Sequence, residues 1–174
     1  INMSLPDILN YAAVGDLKKV EECITNGDDI NVTDSYGFTA LMFASENGHP
    51  AVVTSLIAHQ ADINVTDNNG EWSALMHASY YGKVECVKVL IQNQANLLVK
   101  STKDWIGIKK GSSVLDIAYK RNRHNTIVEL INAPDPDEIN ELHFYAAKEA
   151  KEMINKVITK ENDVKKIKQM IKDR

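Results

Sequence analysis

The chain has 174 residues, of which 44% are hydrophobic and 25% charged, and its formal net charge is −4. This length accommodates one domain with a substantial core, and the composition is ordinary for a globular protein, which excludes wholesale disorder and a collagen-like fibre. No run of about 18 or more apolar residues occurs, so the sequence predicts no transmembrane segment. Composition alone indicates no activity.

The charge is distributed unevenly along the chain. Residues 1–99 contain four basic and twelve acidic residues, whereas residues 148–174 contain nine basic and five acidic ones. Affinity for nucleic acid comes mostly from cationic contacts with phosphates. The acidic N-terminal part, which we call the acidic front (residues 1–99), therefore argues against a nucleic-acid partner there. Binding of nucleic acid through the lysine-rich tail would instead require retention on polyanions that depends on the tail.

The sequence repeats with a period of 33 or 34 residues. The glycines that mark this spacing are Gly15, Gly48 and Gly82. The segment 29–34 recurs at 62–67, and the segment 39–45 recurs at 73–79. Agreement at several positions within the period indicates a stack of similar structural units.

Each unit predicts two short helices, as the second unit illustrates. The Thr39 hydroxyl is placed to cap the first helix, and Leu41 and Ala44 lie on one face of it. Gly48 can end that helix in a left-handed conformation, and the apolar residues of 52–57 form the buried stripe of the second helix. Two helices of this length cannot bury enough apolar surface alone, so neighbouring units must stack.

The segment Asp34-Ser-Tyr-Gly-Phe-Thr-Ala-Leu-Met-Phe-Ala and the segment that begins at Gly48-His49 resemble the ankyrin repeat. The resemblance covers about residues 5–133. It implies an all-α solenoid of helix-turn-helix units with short hairpin fingers, strongest in the two middle units and with a capping repeat at the start. The units span about residues 5–33, 34–66, 67–100 and 101–133.

Several positions depart from the family pattern. The histidine of the family motif is replaced by Met42 and Met76, so the array should depend more on apolar packing than on hydrogen bonds between units. Gln60 and Gln94 stand where the family prefers a glycine with positive φ. We therefore expect an array of moderate stability.

Two units contain insertions next to aromatic residues. The third unit has one extra residue, which brings in Trp72, and the fourth has a seven-residue insertion between Ser101 and Gly111 that carries Trp105 and Ile106. In ankyrin-like folds such insertions fall in the fingers, which line one edge of the concave face. The insertions therefore mark the fingers as candidate binding elements.

The resemblance implies that a partner contacts the finger tips and the two residues just before the glycine that ends each first helix. Six of the eleven aromatic residues occupy such positions, and protein interfaces are enriched in Tyr and Trp. Two alternatives stay open: Trp105 would pack the inserted loop against the neighbouring finger, and Phe38 would act as a hydrophobic staple. The predicted partner-contacting residues are Tyr36, Phe38, Glu46, Asn47, Asn69, Glu71, Trp72, Tyr80, Tyr81, Trp105, Lys120 and Arg121.

The C-terminal segment has a different pattern. Pro134 and Pro136 interrupt the helical periodicity, and apolar residues at steps of three or four then predict a helical extension over 137–174. This extension could cap the last repeat, mediate self-association or partner binding, or lie on anionic lipid. We also expect the chain to be a fragment of a longer protein, with Met3 as a candidate natural start.

The titratable residues form no catalytic or metal-binding pattern. The five histidines are scattered without ligand spacing, and no glycine-rich phosphate loop is present, so we expect no enzyme activity, metal or cofactor. Cys86 and His77 could be imagined as a nucleophile and a base, but nothing in the sequence orients them. Two cysteines are too few for a disulfide scaffold, which favours a reducing, cytoplasmic location, with the nucleus or delivery into a host cell left open.

The sequence therefore predicts a non-catalytic module that binds another protein. Its acidic front predicts a partner protein or peptide rich in Lys or Arg, which associates at a salt-sensitive rate. The alternative is a targeting or regulatory portion of a larger enzyme or secreted effector whose catalytic domain lies outside this chain.

Overall fold

The computed structural model of the chain describes residues 6–131 and residue 133. Its described part contains eight helices and only isolated β-bridges, so the predicted all-α architecture is confirmed. The predictions for the extension over 137–174 lie outside the described residues. The helices are α1 (Asp7–Val14), α2 (Leu17–Thr25), α3 (Ala40–Asn47), α4 (Pro50–Ala58), α5 (Ala74–Tyr81), α6 (Val84–Gln92), α7 (Val114–Lys120) and α8 (His124–Ile131).

The helices form two layers, as expected of stacked helix pairs. In the inner layer α1, α3, α5 and α7 pack side by side, and in the outer layer α2, α4, α6 and α8 do the same. Each inner helix also packs against the outer helix that follows it. Buried Leu, Ile, Val, Met and Ala side chains from both layers form one continuous core. Within the described ranges, no helix is long and apolar enough to span a bilayer.

The ends of the inner helices follow the predicted local chemistry. Each of Thr39, Ser73 and Ser113 accepts a hydrogen bond from the backbone N–H three residues later, which satisfies one unpaired donor of the helix start. Gly48 and Gly82 end α3 and α5 in the left-handed region, at φ +83° and φ +70°. These caps fix where each inner helix begins and ends.

Among the described residues, five residues other than glycine have left-handed φ values, and three of them lie just after the end of a helix. Gln60 and Gln94 have φ +66° and φ +62°, which confirms the conformation expected at these sites. Asn122 has φ +55° at the position that glycine occupies in the other units. Each substitution costs about 1 kcal/mol relative to glycine, and asparagine tolerates the conformation best.

The side chains just before the outer helices α4 and α8 reach back to the preceding unit. His49 lies with Nε2 at 3.1 Å from the Ala13 carbonyl oxygen, and Arg123 donates from Nε to the Tyr80 carbonyl oxygen at 3.0 Å. His49 therefore has a structural role in joining the first and second units, as its position in the sequence indicates.

We expect Gly15→Ala to destabilise the array more than Gly27→Ala. Both glycines have positive φ, so both substitutions carry about 1–2 kcal/mol of backbone strain. A Cβ on Gly15 would lie 2.5 Å from the His49 ring, whereas one on Gly27 would meet no atom within 4 Å. Urea unfolding of the two variants measures the difference. Equal losses would contradict the close packing of His49 against Gly15.

Candidate functional site

Three fingers link the helix pairs, and each is closed by an antiparallel β-bridge between its ends. Finger 2 is bridged between Thr33 and Thr39, and finger 3 between Thr66 and Ser73. Finger 4 spans residues 100–113 and contains a second bridge inside its insertion. The fingers therefore begin and end at matching places in successive units, and their differences lie in the loops between.

An aspartate orders the loop of both finger 2 and finger 3. The Oδ1 atom of Asp34 accepts two backbone N–H groups of finger 2, at 2.8 and 2.9 Å. The Oδ1 atom of Asp67 accepts three in finger 3, at 3.0, 3.0 and 3.3 Å. Such Asp side chains replace backbone partners that a tight loop lacks.

The extra residue of finger 3 is Glu71 and not Trp72. Asp34 donates its backbone N–H to the Phe38 carbonyl, and Asp67 donates to the Trp72 carbonyl in the same way, so Trp72 occupies the position of Phe38. Glu71 takes up the additional length with φ +56° and is exposed. The expectation that the insertion brings in Trp72 is therefore corrected.

A fully buried histidine lies behind finger 3, between two carboxylates. The Nε2 atom of His77 is 2.9 Å from Oδ2 of Asp67, and its Nδ1 atom is 3.5 Å from Oε2 of Glu46. Burial alone would raise the pKa of Asp67, but hydrogen bonds from His77 and from the backbone of Gly70 and Trp72 lower it below its ordinary value. Asp67 is therefore an ionised acceptor, and the His77 Nε2–H group donates to it.

Aromatic rings enclose this histidine. The His77 ring lies 4.6 Å from Phe38, 5.4 Å from Trp72 and 5.9 Å from Trp105, measured between ring centroids. Phe38 also packs against Phe43 at 5.2 Å, which is the N′ to N4 contact of a hydrophobic staple, as one alternative predicts. We refer to Phe38, Glu46, Asp67, Trp72, His77 and Trp105 as the His77 cluster.

Two of the predicted contact residues are in the core. The Trp72 side chain is 0% exposed and Tyr80 is 5% exposed, so the prediction that they contact a partner directly is wrong. Trp72 packs against Tyr80 at 5.4 Å, and the Arg121 guanidinium lies 4.4 Å from the Tyr80 ring centroid. Both aromatic rings are therefore buried by contacts within the array.

Other predicted residues do present surface. Tyr36 at the tip of finger 2 is 61% exposed, and Tyr81 at the end of α5 is 37% exposed. Burial raises the pKa of Tyr81, and the nearby Glu46 carboxylate raises it further, so its hydroxyl remains a neutral donor at neutral pH. Phe38, Glu46, Asn69 and Trp105 are partly exposed, whereas Asn47, Glu71, Lys120 and Arg121 are exposed.

Trp105 packs the insertion against its neighbour, as the other alternative predicts. Its ring meets that of Trp72 edge-on at 4.9 Å. Within the insertion Trp105 and Ile108 exchange backbone hydrogen bonds at 2.9 and 2.7 Å, and Ile108 is buried. The turn between them presents Ile106, which is 45% exposed. Ile106 is thus the apolar tip of finger 4.

Most of the large exposed apolar side chains in the described part occupy equivalent places in the repeat units. Five such residues occur in the described part, and four of them lie on finger tips or at the ends of inner helices. We call these four residues the exposed strip. They are Val14, Tyr36, Tyr81 and Ile106. Because an inner helix of eight residues is about 12 Å long, the finger tip and the inner-helix end of one unit lie within reach of one partner.

The structure offers no orientation for a nucleophile and a base. Burial raises the pKa of the Cys86 thiol to about 11, and its Sγ atom faces the Ala44 carbonyl oxygen. Both ring nitrogens of His77 face carboxylates. Among the described residues, no group of three or more His, Cys, Asp or Glu side chains could hold a metal ion.

Comparison with known proteins agrees with the observed stack of helix pairs. A family model described as ankyrin repeats (3 copies) matches residues 8–101. The mouse protein "Ankyrin repeat and SAM domain-containing protein 6" is 29% identical over 133 residues, which are 76% of this chain and 13% of that protein. The rice "Probable E3 ubiquitin-protein ligase XBOS33" is 36% identical over 80 residues, which are 46% of this chain and 15% of that protein.

The chain thus spans only a small part of the length of these relatives. The region that the family model matches lies in the repeat array of this chain, in which paired helices stack in two layers and are joined by fingers. Repeats of this kind are generally protein–protein interaction modules. The matched region exceeds half of the sequence, and the chain therefore belongs to the ankyrin-repeat family.

Proposed function

We propose that this array is a non-catalytic module that holds a partner protein against the exposed strip. The observation that carries the proposal is the exposure of Tyr36 and Tyr81 in a protein that buries the large aromatic residues Trp72 and Tyr80. An exposed tyrosine presents a large, rigid contact area at low entropic cost, and such residues dominate binding energy at interfaces.

The charge around the exposed strip supports a basic partner for the first half of the array. Residues 6–66 contain nine acidic and two basic residues. Glu46 lies beside Tyr81, and Asp34 begins the finger that carries Tyr36. A partner with Lys or Arg near these positions would associate faster at low salt than at high salt. The cytoplasmic location and the absence of a nucleic-acid partner stay predictions.

The names of the relatives support a second candidate function. One is a probable E3 ubiquitin-protein ligase, and this chain matches 15% of it. The array could accordingly be the targeting part of a larger enzyme or secreted effector, presenting a bound protein to a catalytic domain elsewhere. Determining whether the polypeptide continues beyond Arg174, and with what sequence, tests this directly. The second candidate requires a catalytic domain in the same polypeptide.

We expect the double variant Tyr36→Ala/Tyr81→Ala to lose partner binding while remaining folded. Truncating two exposed interface tyrosines should weaken the affinity for a partner protein by about tenfold or more, because such residues each contribute about 1–2 kcal/mol or more to binding. Affinity capture from lysate, quantified by mass spectrometry, measures the loss for each protein retained by the unmodified chain.

The matched control is Thr54→Ala, which removes an exposed side chain from the outer helix α4. The control should retain the same proteins as the unmodified chain, and all three proteins should unfold at the same temperature. Identical capture by the unmodified chain and the tyrosine variant would contradict the proposal.

A further inference from the structure

The net charge of the units changes sign along the stack. Residues 6–33 contain six acidic and two basic residues, and residues 34–66 contain three acidic and no basic ones. Residues 67–100 contain three of each, and residues 101–131 contain three acidic and six basic residues. The charge therefore runs from −4 through −3 and 0 to +3. A uniformly basic partner would complement the first two units and be repelled by the fourth.

The insertion of finger 4 is held in a defined conformation by its own contacts. The Asp104 carboxylate accepts from the Lys109 ammonium and from the Lys110 backbone N–H, both at 2.8 Å. Lys120 of α7 donates to the Gly107 carbonyl oxygen. With Ile108 buried beneath it, the loop has a fixed position against α7. The lysines of the loop and of the helix are therefore presented together.

A groove of about 410 Å³ lies between finger 4 and α7, and we call it the lysine groove. Lys109, Lys110 and Lys120 supply ammonium groups to it, and Ser112 and Tyr119 supply hydroxyl groups. Among residues 6–131, nothing forms a hydrogen bond or ion pair with the Lys110 ammonium. The groove thus contains more hydrogen-bond donors than the acceptors around it can bind.

The one carboxylate in the lining does not compete with an incoming anion for all of these donors. Oδ2 of Asp116 already accepts from the backbone N–H and the hydroxyl of Ser113, at 2.8 and 2.7 Å. Asp104, outside the lining, pairs with Lys109. The Lys110 ammonium remains available, as do the Lys120 ammonium hydrogens that do not bond to Gly107, so the groove favours a negatively charged group.

We propose that the lysine groove binds an Asp/Glu-rich segment of the partner protein. This inference rests on the proposed function and adds a direction to it: the basic part of the partner faces the first two units, and its acidic part lies at the fourth. An extended nucleic acid or an anionic membrane carries one sign of charge over a long distance, and beyond the neutral third unit it would meet the acidic first and second units. A polypeptide can reverse its charge within a few residues.

The probe is a fluorescent octaglutamate peptide, titrated against the full chain at low salt and followed by anisotropy. Lys110→Glu should weaken its binding by about tenfold, because one favourable charge contact is replaced by a repulsive one. Lys18→Glu is the matched control: Lys18 is 86% exposed on α2 and its reversal changes the net charge equally. Because the Lys110 ammonium has no partner among residues 6–131, Lys110→Glu should not alter the thermal midpoint.

Three results would overturn the inference: no binding of octaglutamate, equal weakening by both substitutions, or tighter binding of a single-stranded oligonucleotide or phosphatidylserine vesicles than of the peptide. Lysate capture separates this inference from the proposed function. If Lys110→Glu retains a partner that Tyr36→Ala/Tyr81→Ala loses, the proposed role of the lysine groove is rejected, and the proposed role of the exposed strip is supported. If neither variant loses a partner, the proposed function itself fails.

Discussion

Trp72→Ala should lower the free energy of unfolding of the array by about 3–5 kcal/mol, the range for large aromatic residues truncated in a core. The Trp72 side chain is fully buried and contacts the rings of His77, Tyr80 and Trp105. Its removal would leave a cavity beneath finger 3 and expose the hydrogen bond between His77 and Asp67 behind it. The thermal midpoint should fall by about 10 °C or more.

Two substitutions make this prediction specific. Trp72→Phe keeps an aromatic ring and removes an indole N–H that has no hydrogen-bond partner, so its cost should stay below about 1.5 kcal/mol. Tyr36→Ala truncates an exposed ring and should leave the midpoint nearly unchanged. Urea and thermal unfolding followed by circular dichroism measure all three. A Trp72→Ala protein as stable as the unmodified chain would show that Trp72 is not a core residue.

Asp67→Ala should destabilise the array by about 3–5 kcal/mol, because it leaves the buried His77 ring N–H and three backbone N–H groups of finger 3 without their acceptor. Asp67 accepts three backbone N–H groups of finger 3 as well as the His77 ring N–H, and its side chain is fully buried. Asp34→Ala is the matched control. Asp34 has the same role in finger 2 but accepts two N–H groups, has no histidine partner and is partly exposed. A smaller loss for Asp67→Ala than for Asp34→Ala would contradict the buried pair.

The contribution of Asp67 should also depend on pH. Its pKa in the folded protein lies below the ordinary value of 3.8. A carboxyl group with a lowered folded pKa stabilises the protein fully above its unfolded pKa and loses that effect as the pH falls through the folded pKa. The stability difference between the unmodified chain and Asp67→Asn should therefore be full at neutral pH and shrink in acid below 3.8. A difference independent of pH would contradict an ionised Asp67.

Local rules were enough to predict the fold. The cap at Thr39 and the stop at Gly48 each depend on a few neighbouring residues, and both recur in the next unit, so one correct interpretation applies to each repeat. The positive φ of Gln60 and Gln94 was predictable for the same reason. Repetition turns weak local signals into a strong pattern.

The side-chain environment of finger 3 was harder to predict. The family pattern places Trp72 among partner-facing residues, but its orientation is set by Glu71, whose left-handed backbone adds one residue to the loop. A signal was present in the spacing. Trp72 and His77 are separated by five positions, as Phe38 and Phe43 are, and this is the spacing of a hydrophobic staple.

Contacts between units were not available from the sequence at all. Glu46 of α3 faces His77 of α5 although 31 positions separate them, and Trp105 closes the His77 cluster from the next finger. Burial of a histidine between two carboxylates depends on how units stack, which no single repeat specifies. The same holds for the lysine groove, which forms only when finger 4 folds onto α7.

Site-specific photo-crosslinking tests the central claim, that a partner protein is held against the exposed strip. A photoreactive amino acid would replace Tyr36 or Tyr81 in turn, and Thr54 of the outer helix α4 as the control, before irradiation in lysate. We predict adducts to the same partner protein from positions 36 and 81, with none from position 54. Adducts from position 54 alone would contradict the claim.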